Sequence, residues 1–522
     1  MSAQDEEEIT EEGERAIKSV AKGAGIVFIG VVFSRFAGYL YRVIVARHLG
    51  TEAYGIISLA MSLIGFALPI CLLGLNHGIK RYASFYRGKD EYSKVKGTIF
   101  SSVKITTSAS IIVSVSLFLL SDFFAFTVFK EPSASVIFKI FSLALFFRAL
   151  ASIFVSATDS FQEMKYRSLS HYIFKGITKL TTVLLFFYIG YELVGAAYAY
   201  LLSYVVAFGA SLYFLRSKIL PKIRDSVPVD NYEELLSYSW PLLFVSLMGS
   251  VLASTDRIML GYFSTASDVG IYNAALPTAM LLGTALYSMR IIILPVFSDL
   301  LGKDKKKEMK QAYRTTTKWL FTTTLPLFVV LVLFAPQVLR LLFGADYTAG
   351  ATALSILSLA YFSKVCLGIS SPALKTMEKT KLILYGTAFA AFVNIVLNYF
   401  LIQKHGINGA ALAYLISISL MYLLYTIWSH RYLKTNPFKL SLYKPIVATV
   451  VSTLITYFIF RRNLSITTWM LPIAFLFFMG IYVLLFLVLG GIESEDLLIL
   501  KAIEKKSGMR IKWLRNLIKK FI

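Results

Sequence analysis

Cysteine is almost absent. The 522 residues hold two, Cys71 and Cys366, each alone inside an apolar run, so neither a disulfide framework nor a zinc-ligand spacing can be built from them. Histidine is nearly as sparse: His48, His77, His171, His405 and His430 are dispersed, and none stands in an HExxH or comparable spacing, which argues against metallohydrolase chemistry. His171 reads as an interfacial residue at the start of an apolar span. A phosphate-cradling GxxxxGK[ST] loop is missing, and no cofactor is implied. The chain opens on an acidic tail, Asp5 to Glu14, and not on the basic start and short apolar core of a cleavable signal. Acid is scarce elsewhere: 30 Asp and Glu stand against 53 Lys and Arg, and the tail takes seven of the acids. Between the apolar runs, on the side that carries few cations, the acids are isolated (Glu52, Asp122, Glu131, Glu192, Asp268, Asp346). Paired carboxylates in a sizeable outer domain, which a membrane glycan transferase or polymerase would need, are therefore missing, and the chain is read as non-enzymatic.

What the sequence does have is apolar length. With 57% hydrophobic and 16% charged residues, a water-soluble globule is excluded and an all-α polytopic membrane protein is indicated. Fourteen stretches near 20 residues qualify as spans: about 24–46, 54–75, 99–121, 134–157, 168–189, 193–215, 237–261, 270–297, 315–334, 348–371, 382–402, 409–430, 441–460 and 469–490. Lys and Arg in alternate loops, with Lys444 at the start of span 441–460 included, number 25 on one side and 6 on the other. The positive-inside rule then puts both termini in the cytoplasm of a multi-pass cell-membrane protein. The net charge of +23 sits in loops between spans, so anionic lipid is the expected partner and nucleic acid is not. Over 491–522, Ile511, Leu514, Leu517, Ile518 and Phe521 recur at helical spacing among lysines and arginines; this reads as a basic amphipathic helix on anionic headgroups, with a solvated basic tail as the alternative.

An internal repeat organises the spans. VGAAYAYLLS at 194–203 returns as NGAALAYLIS at 408–417, an offset of 214, and Arg42 with Gly55-Ile56 returns as Arg257 with Gly270-Ile271, an offset of 215. Six spans separate the copies, an even number, so two parallel six-helix lobes are expected, followed by two further C-terminal helices. The divisions read as an acidic cytoplasmic tail (1–20), an N-terminal lobe (21–220), a cytoplasmic linker (221–236), a C-terminal lobe (237–435), helices 13–14 (436–490) and the basic tail (491–522). Parallel lobes are a known transporter plan, with alternating access by rocking. Pro69, Pro241, Pro277, Pro295 and Pro326 lie inside spans, as bends for movement or as kinks fixed by packing.

Eleven cations also lie inside the spans: Arg35, Arg42, Lys104, Lys139, Arg148, Lys175, Lys179, Arg257, Arg290, Lys318 and Lys364, with Asp256 the one acid clearly among them. Each charge at the bilayer centre costs about 2.5–3.5 kcal/mol on insertion scales. Lys104, Lys139 and Lys318 are near span ends and are expected to snorkel. Arg42 and Arg257 are equivalent in the repeat, near the outer ends of spans 1 and 7, and Arg257 could pair with the adjoining Asp256. Arg35, Arg148, Lys179 and Arg290 are deepest, with Lys175 and Lys364 shallower, and these six are expected to face a wet cavity. Arg35 and Arg42 share a helix face with Gly38 and Tyr39 between them, and Lys175 and Lys179 share another. Guanidinium forks and ammonium point charges suit phosphate, while Tyr39, Tyr41, Tyr198 and Tyr200 are candidates for stacking on sugar rings.

The segment Ser34-Arg35-Phe-Ala-Gly38-Tyr-Leu-Tyr-Arg42, followed by Ala46-Arg47-His-Leu49-Gly50-Thr-Glu-Ala-Tyr54-Gly55, resembles the first-helix signature of the MOP flippase superfamily, and most closely its polysaccharide-transporter branch of O-antigen-type flippases. The resemblance, over roughly residues 20–490, implies translocation of a polyprenyl-diphosphate-linked oligosaccharide from the cytoplasmic to the outer leaflet, for cell-surface polysaccharide or glycoprotein glycan assembly. It carries over to Arg35, Gly38 and Arg42, and to Arg257 and Arg290 in the second lobe. The implied partners are the anionic lipid-linked oligosaccharide, membrane lipids and glycan-assembly enzymes, and helices 13–14 would hold the polyprenyl tail. Val43 follows Arg42 where lipid II flippases carry an acid, which favours oligosaccharide over peptidoglycan precursor. The competing reading within the same fold is a multidrug or organic-cation antiporter, for which Asp256 would be the ion-coupling acid.

Overall fold

Helices account for all regular secondary structure among the described residues, which in the computed structural model are 3–438, 440–460 and 470–492, with side chains from residue 29 onward except at 291 and 440. The amphipathic segment expected over 491–522 lies outside the described residues from 493 on, as do the side chains of the acidic tail at 1–20. The helices are α1 (Ala3–Leu72), α2 (Leu75–Arg87), α3 (Tyr92–Leu119), α4 (Ala134–Ser160), α5 (Met164–Arg167), α6 (Lys175–Ile189), α7 (Glu192–Phe214) and α8 (Tyr232–Phe263). They continue as α9 (Ala266–Met280), α10 (Gly283–Gly302), α11 (Lys306–Leu333), α12 (Ala335–Leu342), α13 (Ala351–Leu367), α14 (Ser370–Thr376), α15 (Thr380–Leu433), α16 (Tyr443–Phe460) and α17 (Met470–Val488). A π-helical stretch, Ser168–Phe174, joins α5 to α6.

Twelve segments are long and apolar enough to cross a bilayer among the described residues. Two of them, Ile29–Arg87 and Thr380–Leu433, have 59 and 54 residues, each well over twice the length of about 20 that a span needs. Each is broken at a glycine near the end of its first span-length, Gly50 (φ 81°, ψ −176°) and Gly406 (φ 51°, ψ −127°), and the first is broken again at Leu73–Gly74, between α1 and α2. Only glycine adopts the angles of Gly50 and Gly406 without a Cβ clash, so each of these two residues ends one helix and lets the next begin on a new axis. Taking the halves separately brings the count among the described residues to the fourteen read from the sequence, although the span read at 270–297 is divided between α9 and α10 and only Gly283–Gly302 qualifies by length and composition.

Contacts divide the chain into two compact units. The first comprises Met1–Leu49 and Ile56–Ser254. At its centre α4 packs against α2, α3 and α7. Ala144, Ala149, Ala151 and Ala157 are fully buried on α4, and such small residues let membrane helices approach closely. Residues 224–231, within the stretch expected as a linker, run along the start of α3: Lys96 Nζ donates to the carbonyls of Arg224 (2.9 Å) and Ser226 (2.7 Å), and the Val229 N–H to that of Ser93 (3.1 Å).

The second unit comprises Gly50–Gly55 and Thr255–Ile522. Here α13 is central, packed against α9, α11 and α15. The repeat is visible in the packing of each unit. Ala196, Ala197 and Ala199 on α7 are fully buried, and so are Ala410, Ala411 and Ala413 on the second half of α15. Gly55 and Gly270, another repeat pair, are both in the second unit, where a Cβ on Gly55 would overlap the Ala266 carbonyl and one on Gly270 the Thr51 carbonyl. The added helices α16 and α17 pack on each other and on α11, with the Tyr482 hydroxyl donating to the Thr322 carbonyl at 2.7 Å.

Candidate functional site

Within the first unit, three of the expected cavity cations come together around tyrosines. Arg148 projects from α4 and Lys175 from the start of α6, and both lie over the ring of Tyr204 on α7, at 5.6 and 5.2 Å from its centroid. Arg148 Nη1 also reaches the Tyr200 hydroxyl at 3.5 Å. One turn further along α6, Lys179 lies over Tyr41 of α1 at 4.8 Å. Gly38 opens that face of α1, since a Cβ there would come 3.9 Å from Lys179 Nζ. The other two residues on α1 differ from each other: Arg35 is exposed and Arg42 half-buried.

The second unit repeats the device with different helices. Arg290 on α10 lies 5.7 Å from the Tyr422 ring centroid, and its Nη2 donates to the Tyr422 hydroxyl (3.1 Å) and to the Gly368 carbonyl (3.0 Å). Lys364 on α13 lies 5.0 Å over Tyr361, which stacks in turn on Tyr414. Arg257 donates to the Asn273 side-chain oxygen at 3.4 Å, and Asn273 donates to the Tyr54 hydroxyl at 3.0 Å.

Arg148, Lys175, Lys179, Arg290 and Lys364 thus each have an aromatic face and no carboxylate partner among the described residues. A cation–π contact contributes about 0.5–1 kcal/mol when exposed and about 2 when desolvated. That offsets part of the cost of placing a charge in a membrane, about 2.5–3.5 kcal/mol, and leaves the charge un-neutralised.

Asp256 is 3% exposed. Its carboxylate accepts hydrogen bonds from Tyr272 (3.0 Å), Asn394 (3.1 Å) and Asn398 (2.8 Å). Asn394 and Asn398 were not singled out in the sequence, although two amides four residues apart in an apolar helix are a readable signal. Tyr204, Tyr361 and Tyr422 were missed as well.

Several expectations are corrected. Tyr41 is fully buried, with its hydroxyl on the Ala196 carbonyl (2.8 Å) and its face under Lys179. Tyr200 is stacked on Phe141 at 4.5 Å. Neither ring has a face free for a sugar, because each is already used in helix packing. Lys318 does not snorkel: it is 3% exposed, in a turn of α11 that is buried on every side, Thr315, Thr316 and Thr317 included. Lys139 forms an ion pair with Asp122 at 2.9 Å, while Lys104 is exposed. His171 is half-buried, with its Nδ1 buried.

Outside the spans, Glu163 sits between Lys165 (3.2 Å) and Lys222 (3.3 Å). Burial alone would raise its carboxyl, but the two ammonium groups outweigh burial and hold it below the ordinary glutamate value.

Fourteen apolar spans with basic groups on aromatic faces inside them define a polytopic membrane transporter of the MOP superfamily. The sequence pattern described as polysaccharide biosynthesis protein matches residues 20–301, and the chain belongs to that family; the MatE pattern matches residues 241–400. The resemblance carried by the first helix is borne out. The chain is 22% identical to a protein named as an O-antigen transporter in Shigella flexneri, over 72% of this chain and 89% of that one. It is 24% identical to a protein of Haloferax volcanii named as the low-salt glycan biosynthesis flippase Agl15, over 76% and 78%. Among solved structures it shares its fold with the lipid II flippase MurJ in an inward closed conformation (TM-score 0.67, 17% identity, 88% of this chain and 98% of that one). It also shares it with an inward-facing multidrug resistance MATE family transporter (TM-score 0.65, 16% identity, 77% and 94%).

Proposed function

We propose that this protein is a flippase that moves a polyprenyl-diphosphate-linked oligosaccharide from the cytoplasmic to the outer leaflet of the cell membrane by alternating access, for cell-surface polysaccharide or glycoprotein glycan assembly. One observation carries the reading: five cations inside the spans rest on tyrosine faces with no carboxylate partner among the described residues. The diphosphate supplies the missing anion. In the first unit Arg148 offers a planar fork to phosphate oxygens and Lys175 and Lys179 offer point charges; in the second unit Arg290 offers the fork and Lys364 the point charge. Arg35, Arg42 and Arg257 complete the set. Spreading the charge over many sites suits a carrier, which must release what it binds. The names of the Shigella and Haloferax relatives support the same substrate class. The termini lie in the cytoplasm by the loop charge count, membrane lipids and glycan-assembly enzymes are the partners, and the protein performs no covalent chemistry.

Asp256 is the coupling site in this reading: a buried carboxylate ringed by two amides and a phenol is suited to exchange a proton or a monovalent cation. The same observation favours the second reading, an organic-cation antiporter, in which Asp256 serves the substrate's counter-ion.

Reconstitution into liposomes with a fluorescent diphosphate-linked oligosaccharide tests the proposal. The expected result is accelerated movement between leaflets, lost when Arg148 and Arg290 are both replaced by alanine. No acceleration, or equal acceleration by the double variant, refutes it. Uptake of an organic cation that Asp256→Asn abolishes, with no lipid movement, would establish the second reading instead.

A further inference from the structure

His171 stands inside the first unit's cation cluster, although neither its sequence context nor the five cation–tyrosine pairs include it. The π-helical stretch Ser168–Phe174 carries it one turn ahead of Lys175, and π-turns inside helices occur often at functional sites. Its ring meets Tyr204 edge-on at 6.5 Å, the same ring that Arg148 and Lys175 share, and meets Tyr172 edge-on at 5.8 Å. The backbone around it is fixed. Gly30 of α1 fits against Ser168 and Tyr172 with no room for a side chain, and the Ser170 hydroxyl donates to the Tyr166 carbonyl at 2.7 Å.

Nδ1 of His171 is buried with no hydrogen-bond partner among the described residues. Nearly all buried polar atoms of native proteins are paired, so an orphan held rigidly beside two cations calls for a cause. Packing alone would favour phenylalanine at such a place. Imidazole adds a compact donor on a stiff ring, able to reach an oxygen already drawn in by neighbouring charge.

We propose that His171 is a further ligand of the substrate's anionic headgroup in the first unit, its Nδ1–H donating to an oxygen of a phosphoryl group held by Arg148 and Lys175. This rests on the flippase reading above. It adds a neutral, directional donor to a site otherwise made of cationic point charges and forks.

The test uses the purified full chain in detergent, with farnesyl diphosphate as the probe and titration calorimetry as the readout. His171→Phe keeps the ring and removes Nδ1; it is expected to weaken binding by about tenfold or more, the scale of one lost hydrogen bond to a charged group. His171→Asn places an amide nitrogen near the Nδ1 position and is expected to bind within about threefold of the parent, which a purely structural role would not predict. Unaltered binding by His171→Phe overturns the proposal, as does an equal loss in His171→Asn. Arg148→Gln with Lys175→Gln separates this from the wider reading. If that pair loses binding while His171→Phe does not, only the role of His171 fails. If the parent chain does not bind the probe, or the pair binds it as the parent does, the cationic headgroup site fails and this inference fails with it.

Discussion

Replacing Tyr204 by leucine removes the one ring that two intramembrane cations share. Arg148 and Lys175 lie 5.6 and 5.2 Å from its centroid, and the ring is 8% exposed. With both cations half-buried, each contact is worth about 1 kcal/mol, between the exposed and the dry limits. Tyr200, at 5.1 Å, adds an aromatic contact of about 0.5–1 kcal/mol. Tyr204→Leu should therefore destabilise the protein by about 2–3 kcal/mol. Tyr204→Phe, which keeps the face, should cost less than about 1 kcal/mol. A double-mutant cycle of Tyr204→Leu with Arg148→Met, read from reversible unfolding in mixed detergent micelles, isolates the cation–ring term and should give about 1 kcal/mol. A coupling below about 0.3 kcal/mol, the scatter expected for independent sites, would refute the claim that the ring holds the charge.

Asp256→Ala leaves the Tyr272, Asn394 and Asn398 donors without their shared acceptor; a loss of about 3 kcal/mol or more is expected from unfolding measurements, and Asp256→Asn should remove any ion dependence of lipid movement while keeping most of the stability. Gly55→Ala and Gly270→Ala each press a Cβ onto a backbone carbonyl that cannot rotate away; both should cost about 1–3 kcal/mol and lower the yield of monodisperse protein in size-exclusion profiles, whereas Gly209→Ala, with open space around it, should not. Glu163 has a folded carboxyl value below its unfolded one, so its contribution is full above roughly pH 4.3 and is lost as pH falls through the folded value. The gap between the unfolding midpoints of the parent and Glu163→Gln should close below that pH, and should represent no more than about 1 kcal/mol for so accessible a pair.

The spans were legible because the bilayer imposes a length, and the repeat was legible because close helix approach demands small residues at fixed places. Ala196, Ala197 and Ala199 return as Ala410, Ala411 and Ala413 for that reason, and all six are buried. The cations were legible by their cost. Their tyrosine partners were not, since the rings come from distant helices: 132 residues separate Arg290 from Tyr422 and 52 separate Arg148 from Tyr200. Sequence spacing reports the face of one helix and is silent about what a second helix brings to it. Tyr41 and Tyr200 were misread for that reason, and so was Lys318, whose position near a span end says nothing of the helices packed around it.

A membrane protein can keep a cation in a span in three ways, and this chain uses all three. Lys104 is exposed along its side chain, Lys139 is paired with Asp122, and five others lie on tyrosine rings. The first way moves the charge to the headgroups. The second cancels it, as the 2.9 Å pair of Lys139 does. Only the third holds the charge at depth without neutralising it, because the quadrupole of a ring attracts a cation while carrying no formal negative charge; even Arg290, which donates to the Tyr422 hydroxyl and the Gly368 carbonyl, meets only neutral acceptors. Had these five been structural, aspartate or glutamate at the ring positions would have served better, since an ion pair in a dry site is the stronger contact. Tyrosine is the choice that makes sense if another anion has to take the place of the carboxylate and then leave it.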